Sequence, residues 1–213
     1  MQNLETTTNH IHEVFEARTA ARDRALSQSR TLIRHCSNAI RAIHRDENTS
    51  AQQHIAEASL LVEAVHSQLE EYPDLYYAGY TQDALKEFAE ANLVYAIIKD
   101  ETLPTPEELM LEYSTYLLGL AETVGELRRR CLDLLLKSNF TEAERILSVM
   151  DEIYALLVTM DYPDAITGGL RRMTDLVRGI VERTRGDLAI SIRQEHLENS
   201  IQRLESRLDR NSP

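Results

Sequence analysis

Tryptophan is missing from this chain of 213 residues, and proline (five), glycine (seven) and cysteine (two) are all scarce. So few turn-formers argue against many short strands joined by tight hairpins, and they suit long helices. Cys36 and Cys131 lie far apart without metal-ligand spacing, which excludes a disulfide scaffold or zinc finger and reads as reduced core thiols of a cytoplasmic protein. No apolar run approaches the roughly 18 residues of a membrane span. The opening Met1-Gln2-Asn3-Leu4-Glu5-Thr6 lacks the basic-then-apolar order of a signal peptide. Gly-rich phosphate loops, a Gly-x-Ser-x-Gly elbow and Cys-x-x-Cys pairs are absent too, which removes the common nucleotide, serine-hydrolase and thiol-redox sites.

What the chain does have is charge, unevenly spread. The net charge is -12, yet residues 1–45 carry seven Arg against four acids and residues 171–213 carry nine Arg against seven. The middle, residues 46–170, holds 24 acids against seven basic groups, and lysine is limited to Lys86, Lys99 and Lys137. Arg22, Arg30, Arg34 and Arg41 in the first basic segment, and Arg171, Arg172 and Arg178 in the last, are candidate contacts to a phosphate backbone if they share a surface. Solvated helix faces with internal ion pairs account for the same counts.

Apolar periodicity predicts an all-α, single-domain bundle (residues 1–213) of about seven helices. The segments are 8–46, about 50–71, 81–99, 105–137, 141–159, one beginning near Asp161-Tyr162-Pro163-Asp164, and one from Leu188. Asp46-Glu47-Asn48-Thr49-Ser50 is predicted to end the first helix and cap the second. Thr105-Pro106-Glu107-Glu108 is a capping box with proline at the first helical position, predicting a helix start there. Gly186-Asp187 is expected to interrupt the sixth helix. Beyond it, Ile190, Leu197, Ile201, Leu204 and Leu208 form an a/d seam, so residues 188–213 read as an amphipathic, coiled-coil-like C-terminal helix.

Two carboxylate pairs stand out against this frame. Glu87 and Glu90 lie three residues apart in a helix apolar nearly all round, and Glu122 and Glu126 lie four apart in the next. Like charges at these spacings repel. A divalent oxygen-seeking cation, Mg²⁺ or Mn²⁺, reverses that sign if the helices lie side by side. The arc carrying Glu87 and Glu90 also carries Val94 and Ile97, so these carboxylates are expected to face protein or a lined cavity and to require protonation, pairing or metal. For Glu122 and Glu126 a solvated polar stripe, with Glu126–Arg130 and Asp133–Lys137 at i,i+4 ion-pair spacing, is an equally good account. Gly119 and Gly125 beside them suggest close backbone approach to a helix or ligand.

Glu63-Ala64-Val65-His66 has the Glu-x-x-His form of di-iron bundles, but no second copy exists, so a ferritin-like oxidase is disfavoured and His66 reads as a surface or satisfied histidine. The nine tyrosines, including Tyr72, Tyr76, Tyr77 and Tyr80, are read as amphipathic core filler, with base stacking as the alternative.

Tyr76-Tyr77, Glu87-Phe88-Ala89-Glu90-Ala91, Glu112-Tyr113 and the run Tyr116-Leu117-Leu118-Gly119-Leu120-Ala121-Glu122-Thr123-Val124-Gly125-Glu126-Leu127-Arg128-Arg129 together resemble the translin/TRAX family. The resemblance runs from the arginine-rich first helix to about Leu188. It implies an all-helical subunit of a hollow homo-octamer that binds single-stranded RNA or DNA, with arginines of the first and sixth helices lining the interior. It further implies the TRAX type, an Mg²⁺-dependent endoribonuclease. Glu87, Glu90 and Glu126 match that type's acids, while Glu122 stands where TRAX has aspartate. The translin type, which binds nucleic acid without cleaving it, is the alternative.

Overall fold

A computed structural model describes the backbone of residues 2–210 and the side chains of residues 3–207. The fold is all-α. Eight helices are present among the described residues: α1 (Gln2–His44), α2 (Asn48–Leu69), α3 (Pro73–Tyr76), α4 (Gly79–Lys99), α5 (Tyr113–Leu136), α6 (Phe140–Thr159), α7 (Asp164–Thr167) and α8 (Leu170–Arg210). None of them is long and apolar enough to cross a membrane. Residues 1–120 and 121–213 form two compact units, with the division falling inside α5.

In the first unit α1, α2 and α4 pack on one another. The buried positions of α1 include Ala21, Ala25, Ser29, Leu32, Cys36, Ala39 and Ile43, steps of three and four that mark one stripe of a helix, which Ile40 and Ala42 widen near its C-terminal end. Small residues dominate this stripe, so the helix backbones approach closely. One cluster joins Ala21 and Ala25 to Val65, Leu69 and Leu75, with Tyr72, Tyr76 and Tyr80 packed against it. A second joins Ala42 and Ile43 to Ala51 and Val94, flanked by Tyr95 and Ile98. As core filler, these tyrosines behave as the sequence suggests. Leu60 of α2 is 65% exposed, although apolar, while Val62, Val65 and Leu69 of the same helix are buried.

In the second unit α6 packs on α8, and Ala143, Ile146, Met150 and Leu157 of α6 and Leu170, Val177 and Val181 of α8 are buried. Arg128 of α5 donates to Thr184 Oγ1 (2.9 Å) and to Asp187 Oδ2 (2.8 Å).

Three local expectations change. The Thr105 capping box forms, with Thr105 N donating to Glu108 Oε2 (2.7 Å) and Glu108 N to Thr105 Oγ1 (3.2 Å), but it closes a single turn. Met110 adopts φ 54° and Leu111 N donates back to Pro106 O at 2.8 Å. Leu109 and Leu111 are both buried, and residues two apart cannot share one face of a helix. Gly186-Asp187 does not interrupt α8, because Asp187 is held by Arg128. The segment after Asp46 gives α2 no side-chain cap: Glu47 occupies that position without a cap hydrogen bond. Asn139, by contrast, caps α6 by accepting from Glu142 N.

Candidate metal and nucleic-acid site

Gly119 sets the spacing of α4 and α5. A Cβ added there would lie 2.6 Å from Ala89 Cβ, 2.9 Å from Lys86 O and 3.2 Å from Glu90 N. Only glycine allows the first turns of α5 to lie this close to the backbone that carries Glu87 and Glu90. Gly125, expected to mark a second close approach, has open space where its Cβ would be. One turn beyond Gly119 comes Glu122. Ligand oxygens of Glu87, Glu90 and Glu122 all lie within 4.8 Å of one another.

Glu90 is 8% exposed, while Glu87 and Glu122 are half-buried. Each of these acids, and Glu126, also takes part in a further polar or electrostatic interaction. Beneath the site on α1 lies the buried thiol of Cys36. Burial pushes its pKa upward, and the negative charges of Glu87 and then Glu90 push it further. Carboxylates concentrated at partial burial fit a hard divalent cation with oxygen preference. Glu126 stands outside this group of three, with its Oε2 3.8 Å from Arg129 Nη1.

The seven arginines are all exposed. On α1, Arg30, Arg34 and Arg41 fall within about 40° of one another at about 100° per residue, a stripe along one face. No acid lies within salt-bridge distance of these three among the described residues. Arg22 lies off this stripe and faces Asp23 Oδ1 at 3.4 Å. On α8, Arg171 pairs with Asp161 (2.6 Å) and Arg178 with Glu182 (2.9 Å), and both guanidinium pKa values are raised by those hydrogen bonds. Arg172 lacks such a partner among the described residues.

His66 is satisfied, as expected: its Nε2 lies 2.7 Å from Met110 O, fastening the loop before α5 to α2. Its ring packs at 5.0 Å against Tyr76, which in turn meets Tyr77 edge-on at 5.0 Å. Tyr77 donates to Glu112 Oε1 at 3.1 Å. Tyr76, Tyr77 and Glu112 therefore meet around one cavity also lined by His66 and Pro73, while the Tyr113 hydroxyl donates to Glu107 Oε1 at 2.8 Å.

Residues 19–208 match the model of the translin family. The chain belongs to the translin family. The match continues past Leu188, where the resemblance in the motifs ended, so the seam segment lies within the family's extent. A protein of Methanocaldococcus jannaschii described as uncharacterised is 32% identical over 199 residues, covering 92% of this chain and 88% of its own. Among solved structures, AfC3PO in a complex with duplex RNA has a TM-score of 0.78 at 34% identity, covering 89% of this chain and 96% of that one. Apo-NeC3PO has a TM-score of 0.78 at 22% identity, with 90% and 98% covered, and at that identity the likeness concerns the translin fold alone.

Proposed function

We propose that this translin-family chain is an RNA-binding, metal-dependent endoribonuclease that acts as a homo-oligomer on single-stranded RNA. The observation carrying the reading is the convergence of Glu87, Glu90 and Glu122 within 4.8 Å across the α4–α5 contact. Glu87, Glu90 and Glu122 would hold Mg²⁺ or Mn²⁺ directly or through water, and Glu126, one turn along α5, would add its charge to theirs. The chemistry such an ion supplies is activation of water for attack on phosphorus and neutralisation of charge developing on the phosphate. Arg30, Arg34 and Arg41 guide the backbone along α1, and Arg22, Arg171, Arg172 and Arg178 add phosphate contacts. RNA as the ligand class is supported by the likeness to AfC3PO, whose complex contains duplex RNA.

One family model spans both compact units, which supports treating residues 1–213 as a single functional domain. Assembly into a closed shell, an octamer in our reading, is supported by apolar side chains left uncovered within the subunit. On α1 these are Leu4, Ile11 and Phe15, and on α8 they are Ile190, Leu197, Ile201 and Leu204. The side chain of Leu208, which completes the seam in the sequence, lies outside the described residues. Localisation in the cytoplasm follows from the same reading.

The test is incubation of labelled single-stranded and duplex RNA with the protein, with Mg²⁺ or with EDTA. Cleavage that needs the metal and vanishes in Glu90→Gln, while RNA binding persists, supports the proposal; metal-independent or unchanged cleavage defeats it. The non-catalytic translin-type role is the second reading, favoured by the Glu126–Arg129 pairing. Binding of RNA without cleavage in any divalent metal would select it.

A further inference from the structure

Between α1 and α2, in a group that shares no residue with the acidic site, His35 of α1 meets His54 and Glu57 of α2. His35 Nδ1 lies 2.8 Å from Glu57 Oε2, His54 Nδ1 lies 3.4 Å from the same oxygen, and the two Nδ1 atoms are 3.2 Å apart. Three donor atoms thus form a small triangle. A tetrahedral ion with ligand bonds of about 2.0–2.1 Å has ligand-to-ligand edges of about 3.3 Å; the 3.4 Å and 3.2 Å separations lie close to that value, and the 2.8 Å His35–Glu57 separation is shorter, as a direct hydrogen bond between those two groups would make it.

The surroundings favour an ion over a simple proton-shared cluster. If both Nδ1 atoms carried protons to donate to Glu57 Oε2, those protons would face each other across an Nδ1–Nδ1 separation of 3.2 Å, whereas two neutral imidazoles with unprotonated Nδ1 atoms aimed at one point with a carboxylate form a complete face of a coordination shell. The rings are tilted by 57° with centroids 5.4 Å apart, so they converge at their nitrogens without stacking. Gln53 Nε2 donates to Glu57 Oε1 at 3.2 Å, fixing the carboxylate so that Oε2 is turned toward the histidines. This is the outer-shell support that ligating carboxylates commonly have. The side chains are 20%, 27% and 40% exposed for His35, His54 and Glu57, so the site has shelter together with an entry path.

We infer that His35, His54 and Glu57 form a second metal site, selective for zinc-class transition ions, that clamps α1 to α2. Two imidazole nitrogens and one carboxylate oxygen select Zn²⁺, Co²⁺ or Ni²⁺ over Mg²⁺, opposite to the all-oxygen donor set at Glu87, Glu90 and Glu122. The fourth position, facing solvent, is taken by water. The site stands independently of the proposed nuclease, since it shares no residue with it.

Co²⁺ is the probe, because a tetrahedral shell gives it intense visible absorption that an octahedral shell does not. The full-length, EDTA-stripped protein is titrated with Co²⁺ in excess Mg²⁺, followed by visible spectra and by metal analysis after dialysis. About one tightly held Co²⁺ per chain with a tetrahedral spectrum, displaced by Zn²⁺, is expected. His35→Gln and His54→Gln each abolish the signal, Gln53→Ala weakens affinity about 10-fold, and Glu90→Gln leaves it unchanged. Circular dichroism of each variant separates a lost site from a lost fold, and Glu57→Gln gives a further ligand variant. Wild-type protein that takes up no Co²⁺ under these conditions, or takes up as much as the His35→Gln/His54→Gln double variant, overturns the assignment.

Discussion

Glu90 is the acid least able to reach solvent, at 8% exposed, and it shares its surroundings with Glu87 one turn away and Glu122 across the helix contact. Replacement by the isosteric amide removes charge and keeps shape. Glu90→Gln is expected to lower metal-dependent cleavage at least about 100-fold, equivalent to about 2.7 kcal/mol of barrier. In EDTA the same variant should melt no lower than wild type, because one of the clustered negative charges is gone. Loss of cleavage accompanied by a large loss of Tm would point to a structural role instead. Gly119 acts by what it lacks. Gly119→Ala places a methyl group within 2.9 Å of the Lys86 carbonyl and closer still to Ala89. Backbone cannot swing aside as a flexible side chain can, so α5 must shift. We expect a cost of about 1–3 kcal/mol, read as a drop in Tm, together with weaker Mg²⁺ dependence of cleavage. Gly125→Ala, with open space around it, should be neutral or slightly stabilising.

At the scale of elements, helix ends explain how so helical a chain manages with seven glycines. Asp46, Asp100, Met110 and Ser138 all adopt left-handed conformations, with φ between 54° and 59°. Behind each, the next residue's N–H reaches back to a carbonyl in the preceding turn: Glu47 to Ala42, Glu101 to Ala96, Leu111 to Pro106 and Asn139 to Leu134. This is the closure that glycine usually provides. Met110 has no short polar side chain to ease the strain, so Met110→Gly should stabilise the protein by about 1 kcal/mol in chemical denaturation. A lower midpoint would mean that the half-exposed Met110 side chain contributes more than its backbone costs. The capping box was legible because its two hydrogen bonds are local. The single-turn length was not, since it depends on Leu109 and Leu111 both finding burial. The continuity of α8 through Gly186-Asp187 was hidden for a similar reason: the partner of Asp187 is Arg128, far away in the chain.

For the whole molecule, net charge misleads. A chain of charge -12 carries an arginine stripe on α1 in which Arg30, Arg34 and Arg41 have no acidic partner within reach among the described residues. Each phosphate contact contributes about one unit to the dependence of log affinity on log salt concentration. The double variant Arg30→Ala/Arg34→Ala should therefore weaken RNA binding at low salt for every sequence tested and reduce the salt slope by about two. An unchanged slope would remove this stripe from the binding surface. In the proposed assembly the exposed seam of α8 is a subunit contact. Leu197→Glu combined with Ile201→Glu should shift the protein to a smaller species in sizing measurements while helix content holds, since both side chains are already exposed within the subunit. An unaltered size would exclude the seam as a subunit contact.

Periodicity, the scarcity of breakers and the motif around Glu87–Glu90 and Glu122–Glu126 were enough to determine an all-helical translin-family chain, because helical faces are written in spacings of three and four residues. The same spacings put Glu90 on a sheltered arc. Tertiary structure decided what no spacing encodes: that Gly119 and not Gly125 touches the neighbouring helix, that Glu122 joins Glu87 and Glu90 while Glu126 turns to Arg129, and that Leu60 lies outside the core. It also brought His35 to His54 and Glu57. Their i,i+3 half is visible in the sequence as His54-Ile55-Ala56-Glu57, but its third member comes from another helix. Local sequence fixes which side chains share a face of one helix; only the packing of helices fixes which faces meet.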